Sequence, residues 1–335
     1  MKIEKAAEGS GSLEYALIEA IKEWTGSCYI GDDCAVLPGQ ELVSCDTLVE
    51  GVHFKLDTTS LFDLGFKAVA VNLSDIAAMA GRARFLLVSV SWPESLPLCD
   101  LEELYRGMNE CARAYRCRVA GGDFTGGPVL SISVTVLGTT HEDGCLLRST
   151  AEPGDVVVVT GDFGASRAGL EALGAGWDDF DYCVNRHCKP LPRLCESWAM
   201  VRKTGNRGAL MDASDGLADA LFQIARDSNV LMEVELSKVP VHHETVAAAR
   251  RAAADPLDWA LYGGEDYELV GCLSENTWRQ GQKALPFIAI GKVRETRPTG
   301  GEAAGVELVH HGKSRGRVDM SRAFQHVHLP GQGGA

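Results

Sequence analysis

The stretch Lys67-Ala68-Val69-Ala70-Val71-Asn72-Leu73-Ser74-Asp75, which runs on in apolar residues to Ala80, decides how this chain is read. It predicts a helix that starts near Leu61, is opened by Ser60 with Asp63 three residues on, and stops at Gly81. A carboxylate is costly inside such an apolar helix unless it is paired or bound to a metal, and Asp75 sits there. Asn72 lies about 60° away around the helix, so the two polar groups share a face. Lys67, about 80° to the other side, offers a salt bridge as the simpler explanation.

Strand patterns surround this helix. Phe85 to Trp92 is an apolar run of strand length, and Leu130, Ile132, Val134 and Val136 alternate with Ser131, Ser133 and Thr135, the signature of a strand with one buried face. Leu13, Leu17, Ile18, Ile21 and Trp24 form an apolar helical stripe between Ser12 and Gly26. A further helix is expected after an Asp100/Glu103 capping box, turning Leu101, Leu104, Tyr105, Met108 and Tyr115 inward. Beyond the turn Glu152-Pro153-Gly154-Asp155, the strand Val156 to Val159 begins a second block. In it Leu210-Met211 leads into a helix carrying Leu217, Leu221, Ile224 and Ala225. At about 150 residues per domain, 335 residues suggest two. The polar turn from His141 to Gly144 divides the chain into 1–143 and 144–335, both mixing helices and strands, so the expected fold is α/β or α+β with two lobes.

Composition narrows the partners. Lys and Arg number 32 against 46 Asp and Glu, a net charge of −14, which repels nucleic acid and anionic membrane surfaces. A phosphorylated substrate would then need metal ions to bridge it to the protein. No run approaches about 18 consecutive apolar residues, and Met1 to Lys5 opens a charged segment without an apolar signal core. The eleven cysteines are scattered. Cys183, His187, Cys188 and Cys195 lack a C-x-x-C spacing and read as reduced thiols, which points to the cytoplasm.

The strongest chemical signal is a set of aspartates at turns: Asp32 and Asp33, Asp46, Asp75, Asp123, Asp212 and Asp215. Each alone is an ordinary cap or Asx-turn residue, whereas together they suggest a shared oxygen-ligand site for Mg²⁺. Thr160-Gly161-Asp162-Phe163-Gly164-Ala165-Ser166 precedes a helix and offers a phosphate cradle. Motifs for a P-loop, a dinucleotide fold, a nucleophile elbow and a zinc peptidase are missing; His242-His243-Glu244 is not H-E-x-x-H. In Gly263-Gly264-Glu265-Asp266-Tyr267-Glu268-Leu269, the alternation of Tyr267, Leu269 and Gly271 predicts a strand with Glu265 and Asp266 at its mouth, either simply solvated or part of a site. His53, beside Glu50-Gly51-Val52, either meets an anionic ligand or fills a turn.

These blocks together resemble the thiamine-monophosphate kinase family. The resemblance rests on Ile30 to Leu37, Asp46 to Phe54, Lys67 to Asp75, Gly121-Gly122-Asp123, Arg148-Ser149, Asp212 to Leu217 and Gly263 to Leu269, in that order and nearly end to end. It implies the two-lobed fold of aminoimidazole-ribonucleotide synthetase-like ATP-using enzymes, with an α/β N-terminal domain that pairs across a homodimer and an α+β C-terminal domain. It also implies several Mg²⁺ ions at Asp33, Ser44, Cys45, Asp46, Asp75, Asp123, Asp212 and Asp215. ATP would meet Gly122, Asp123, Arg148 and Ser214, and thiamine monophosphate would meet His53, Glu265 and Phe324. Cys45 stands where the family usually has Thr; its thiol is a poor ligand for a hard cation, so contact there would come through backbone oxygen. The ending Ala323-Phe324-Gln325-His326-Val327 departs from the family's usual Gly-Tyr-x-His-Phe-like close.

The implied reaction is direct in-line transfer of phosphate from ATP to thiamine monophosphate. The attacking phosphate oxygen is already ionised, so no general base is assigned. Two relatives in the same superfamily fit less well. Selenophosphate synthetases need an N-terminal Cys beside Lys, and hydrogenase-maturation proteins a Cys at the extreme C-terminus, whereas the first Cys here is Cys28 and the last is Cys272. A binding protein that holds Mg·ATP without consuming it, and a metal-dependent phosphatase using the same aspartates, are the rivals of a different class.

Overall fold

The computed structural model describes residues 13–296 and 303–323. In the first lobe, α1 (Leu13–Thr25) precedes β1 (Ala35–Leu37), β2 (Glu41–Val49), α2 (Leu61–Ala78), β3 (Arg82–Pro93), α3 (Leu101–Ala114), β4 (Arg118–Gly127) and β5 (Ser131–Thr139). The strands form one sheet in the order β1-β2-β5-β3-β4, antiparallel except for the parallel pair β3 and β4. The second lobe runs β6 (Asp155–Val159), α4 (Ala165–Ala175), α5 (Asp181–Cys188), α6 (Leu194–Thr204), β7 (Ala209–Asp212), α7 (Leu217–Asp227) and β8 (Leu231–Glu235). It continues with α8 (His243–Arg251), α9 (Pro256–Tyr262), β9 (Leu269–Ser274), α10 (Glu275–Gly281), β10 (Ile288–Arg294), β11 (Gly305–His310) and β12 (Lys313–Arg317). Its sheet is ordered β12-β11-β8-β10-β6-β9-β7.

Helix α2 is the spine of the molecule. Ser60 caps it as the sequence predicts, its hydroxyl accepting from the Asp63 amide. Every residue from Leu64 to Ala80 is buried except Asp75, because one side of the helix lies on the first sheet and the other on the second lobe. Leu42, Leu86, Val88, Ile132, Val134 and Val136 from the sheet share a core with Val69, Leu73 and Ile76, and that core extends into Val158, Met200, Leu210 and Leu269. Each large side chain so buried contributes about 1.5–3 kcal/mol. Such double-sided burial requires a helix apolar over most of its circumference.

The crossing of α2 with α3 is set by two glycines. A Cβ on Gly65 would stand 2.0 Å from the Leu104 carbonyl oxygen, and one on Gly107 would stand 1.8 Å from that of Phe62. Gly107→Ala must therefore push the helices apart, and we expect a loss of about 2 kcal/mol, read as a lowered urea midpoint at unchanged slope; an unchanged midpoint would contradict the close crossing.

One expectation fails locally. The Asp100 side chain makes no cap, because Asp100 is itself helical and ends a 3₁₀ turn, Leu98–Asp100, that runs straight into α3. Helix α1 keeps the bounds its stripe predicts, with Leu13 and Ala16 buried while Ile18, Ile21 and Trp24 are exposed, Trp24 by 68%. The rotation of α1 follows its polar anchor, since Tyr15 donates to the Asp219 carboxylate and lies under the Arg226 guanidinium, 4.6 Å from the ring centre.

Candidate active site

Strand alternation sorts β2. Leu42, Ser44, Asp46 and Leu48 face α2, whereas Cys45 and Thr47 are exposed on the other side. On α2 the polar face meets them: the Asp46 amide donates to Asn72 Oδ1 over 3.1 Å, and the Ser44 hydroxyl donates to the Asp75 carboxylate. One residue before Asp75, the Ser74 hydroxyl reaches across the lobes to Asp212 Oδ2 at 2.5 Å, at the end of β7. Asp33 enters from the loop ahead of β1, held by Arg148 through Nη2–Oδ1 at 2.7 Å and Nε–Oδ2 at 3.1 Å. The Arg148 amide also donates to Asp32 Oδ1 over 2.8 Å.

This arrangement puts carboxylate oxygens of Asp33, Asp75 and Asp212 within 4.8 Å of one another. They sit in a cavity of about 350 Å³ between the lobes, also lined by Ser44, Cys45, Asp46, Arg148, Ser214 and Asp215. Burial, and then the charges of Asp46, Asp212 and Asp33, push the Asp75 carboxyl well above its ordinary pKa. Asp212 is raised as well, by burial and then by Asp33. Hard, mutually repelling oxygens at this spacing fit divalent cations of the Mg²⁺ kind. Cys45 lines the cavity from a strand position exposed on the face opposite Ser44 and Asp46.

The other expected residues lie elsewhere. Gly122 and Asp123 are exposed on the edge strand β4 and do not line this cavity. Gly122 has a steric reason of its own: at φ +153 a Cβ would meet the Val88 carbonyl oxygen at 1.7 Å. Phe324 lies outside the described residues. His53 accepts from the Val49 amide through Nδ1 at 3.0 Å. Glu265 stands between Lys67 Nζ at 2.9 Å and His187 Nδ1 at 3.5 Å. Lys67 therefore pairs with Glu265, and the salt bridge to Asp75 suggested by their helical spacing is not formed.

At the mouth of β9 the solvated alternative does not hold: Asp266, Tyr267 and Glu268 are buried. The glycine loop ahead of α4 is no free phosphate cradle either, because the Asp266 carboxylate already accepts from the Gly164 amide at 2.6 Å and the Ser166 amide at 3.0 Å. A carboxylate has taken the anion's place at the helix N-terminus.

Reading the sequence missed Tyr15, Asp219 and Gln223. Asp219 accepts from Tyr15 and from Gln223 Nε2, and Gln223 Oε1 accepts from Arg148 Nη1 at 2.6 Å, so the three join the arginine that holds Asp33. The signal was present: Asp215, Asp219 and Gln223 recur every four residues, one face of a helix leaving the Asp212–Asp215 loop. Burial and then Asp215 raise Asp219 to about 6, and burial raises Asp32 to about 6.

His187 carries a pH signature. Burial first, then Lys67, lower its pKa from 6.5 to about 4. Between those values the unfolded chain binds a proton that the folded chain does not, so the contribution of His187 to stability is whole above pH 6.5 and lost as pH falls toward 4. We expect the stability difference between the wild type and His187→Gln in urea to narrow from pH 7 to pH 5; a constant difference would contradict a neutral buried His187.

A two-lobed α/β fold with a carboxylate pocket at the lobe junction defines the class of AIR-synthase-related proteins, and the model of their N-terminal domain ("AIR synthase related protein, N-terminal domain") matches residues 31–140. The thiamine-monophosphate kinase of Bacillus subtilis (strain 168) is 40% identical over 282 residues, 79% of this chain and 85% of that protein. The chain belongs to the thiamine-monophosphate kinase family. Among solved structures, "AaThiL complexed with AMPPCP and TMP" covers 94% of this chain and 97% of its own at a TM-score of 0.81 and 31% identity. The thiamine monophosphate kinase of Aquifex aeolicus, also at 31% identity, covers 90% and 96% at a TM-score of 0.78.

Proposed function

We propose that this chain transfers the γ-phosphoryl group of ATP directly to the phosphate of thiamine monophosphate, giving thiamine diphosphate and ADP. An oxygen of the acceptor phosphate forms the new P–O bond as the bond from the γ-phosphorus to the bridging β,γ-oxygen breaks. The attacking oxygen is ionised at neutral pH and the bridging oxygen departs as a phosphate oxyanion of ADP, so no side chain has to remove a proton. The observation that carries this reading is the Asp33, Asp75 and Asp212 constellation at the lobe junction in a chain whose relatives are thiamine-monophosphate kinases.

Asp33, Asp75 and Asp212, with Asp46 and Asp215 beside them, would hold Mg²⁺. Bound there, the ions would supply neutralisation of the charge that two anionic reactants bring together. The chain itself contributes rigidity. Ser44, Ser74 and Arg148 fix the three carboxylates, and Ser214 shares its loop with Asp215. ATP is read as lying against Arg148 and Ser214, and the acceptor against His53 and Glu265.

The same reading makes the protein a homodimer joined through the first sheet. Phe85, Leu87 and Phe124 on β3 and β4 are each more than 40% exposed, and they share that uncovered region with Gly122 and Asp123. The lobes are read as 1–143 and 144–335, one for each sheet. Eleven free thiols suit the reducing cytoplasm.

Incubation with ATP, Mg²⁺ and thiamine monophosphate, followed by chromatography, tests the proposal. Thiamine diphosphate should form in step with ADP and vanish with EDTA. Tight Mg·ATP binding without product would favour a binding protein, and free phosphate without thiamine diphosphate a phosphatase.

A further inference from the structure

Lys67 is the largest side chain wholly buried in the described protein, with 1% of the residue exposed. Taking an ammonium out of water costs several kcal/mol, and a methionine of similar length would fill the same space without that cost. The charge has one evident use in the structure: Nζ lies 2.9 Å from Glu265 Oε1, while Glu265 keeps 27% of its side chain open. His187 Nδ1 lies 3.5 Å from the other oxygen and 3.0 Å from Ser166 Oγ, so the carboxylate is approached from two sides. Burial alone would raise the Glu265 pKa, but Lys67, His187 and His53 draw it below the ordinary glutamate value.

The backbone under Glu265 is also held. Glu265 and Tyr267 both adopt positive φ, +57 and +51, a left-handed conformation that costs a non-glycine residue roughly 1–3 kcal/mol. Three bonds to the metal-site loop keep them there: Glu265 N to Ser214 O at 2.5 Å, Tyr267 N to Ala213 O at 3.1 Å, and Ala213 N to Glu268 O at 2.8 Å. Lys67 precedes Asp75 by eight residues on one rigid helix, which sets their Cα atoms about 12 Å apart along its axis at about 1.5 Å per residue. That is the scale of a two-ring phosphate ester with its phosphate at Asp75 and its far ring at Glu265.

We propose that Lys67 is a positioning residue for the phosphate acceptor, its buried ammonium holding Glu265 toward a cationic heterocycle that bears an amino group. Thiamine has that chemistry in its thiazolium and aminopyrimidine rings, and the inference rests on the acceptor assigned above. Lys67 acts through Glu265 and does not touch the substrate.

Steady-state kinetics of Lys67→Met and Lys67→Arg test this, with each substrate varied at saturation of the other. For Lys67→Met the KM for thiamine monophosphate should rise about ten- to a hundredfold, the price of an unsupported charged contact, with the KM for ATP and the equilibrium affinity for AMPPCP unchanged. Lys67→Arg keeps the charge and should recover most of the loss. An acceptor KM within about twofold of wild type in Lys67→Met, or equal rises in both KM values, would overturn the assignment. Should Lys67→Met not fold, Lys67→Gln decides, since it keeps a donor for Glu265 but loses the charge: a several-fold rise in acceptor KM alone supports the proposal and an unchanged one overturns it. If the wild type makes no thiamine diphosphate, the proposed function fails; if the wild type turns over and the variants keep its acceptor KM, only the role of Lys67 fails.

Discussion

Asp75→Asn lowers turnover by about a thousandfold, as expected when one anionic ligand is lost from a site that must neutralise two phosphorylated reactants, and it makes the metal-free protein more stable. The second half follows from the sign of the pKa shift. Burial and the charges of Asp46, Asp212 and Asp33 raise the Asp75 pKa in the folded chain. Its ionised form therefore opposes folding at every pH above the unfolded value, about 3.9. The amide of Asn can still accept from the Ser44 hydroxyl, so the substitution removes charge and keeps the hydrogen bond. In EDTA at pH 7 the melting temperature of Asp75→Asn should exceed that of the wild type by a few degrees, and the gap should close toward pH 4. Mg²⁺ should stabilise the wild type more than the variant. Thermal melts with and without Mg²⁺, beside turnover measurements, check both halves. Full activity in Asp75→Asn, or a metal-free variant less stable than the wild type, would contradict the role given to this carboxylate.

Glu268→Ala should be the most destabilising single change. Glu268 is fully buried and accepts from Arg186 Nη2 at 2.5 Å, Arg193 Nε at 2.7 Å, Arg193 Nη2 at 2.5 Å and the Thr160 hydroxyl at 2.6 Å. Its removal leaves Arg186, itself 5% exposed, as a buried charge without compensation, a situation that costs about 3–5 kcal/mol. Against a total stability of about 5–15 kcal/mol this is a large fraction. Glu268→Gln should lie between, since the amide oxygen can accept part of the network. Chemical denaturation followed by circular dichroism measures both, and a loss below about 1 kcal/mol for Glu268→Ala would show that the arginines find other partners.

The pairings behind these predictions differ in how far they could be read from the residues. Helix α2 with its Ser60 cap, the alternating strand around Ile132 and Val134, and the shared face of Asn72 and Asp75 are local: each follows from spacing within a dozen residues, where backbone geometry dictates which side chains are neighbours. The Asp215, Asp219 and Gln223 face was equally local and was passed over. The α1 stripe marks a helix without saying what covers its face, and the anchor that sets the rotation of α1 is the contact of Tyr15 with Asp219.

Residue spacing alone dictates that helices and strands alternate in two blocks, that a carboxylate stands in an apolar helix, and that acidic residues recur at turns. Which of them meet follows from the packing of the lobes. Ser74 bonds Asp212 from 138 residues away, and Asp266 fills a helix N-terminus 102 residues before it. In the same way Lys67 turns to Glu265 when a nearer carboxylate was available on its own helix. Such choices depend on how two lobes close around α2. Closing them removes water from the charges, so each carboxylate and ammonium goes to the partner that the packed core leaves within reach, whatever its distance along the chain.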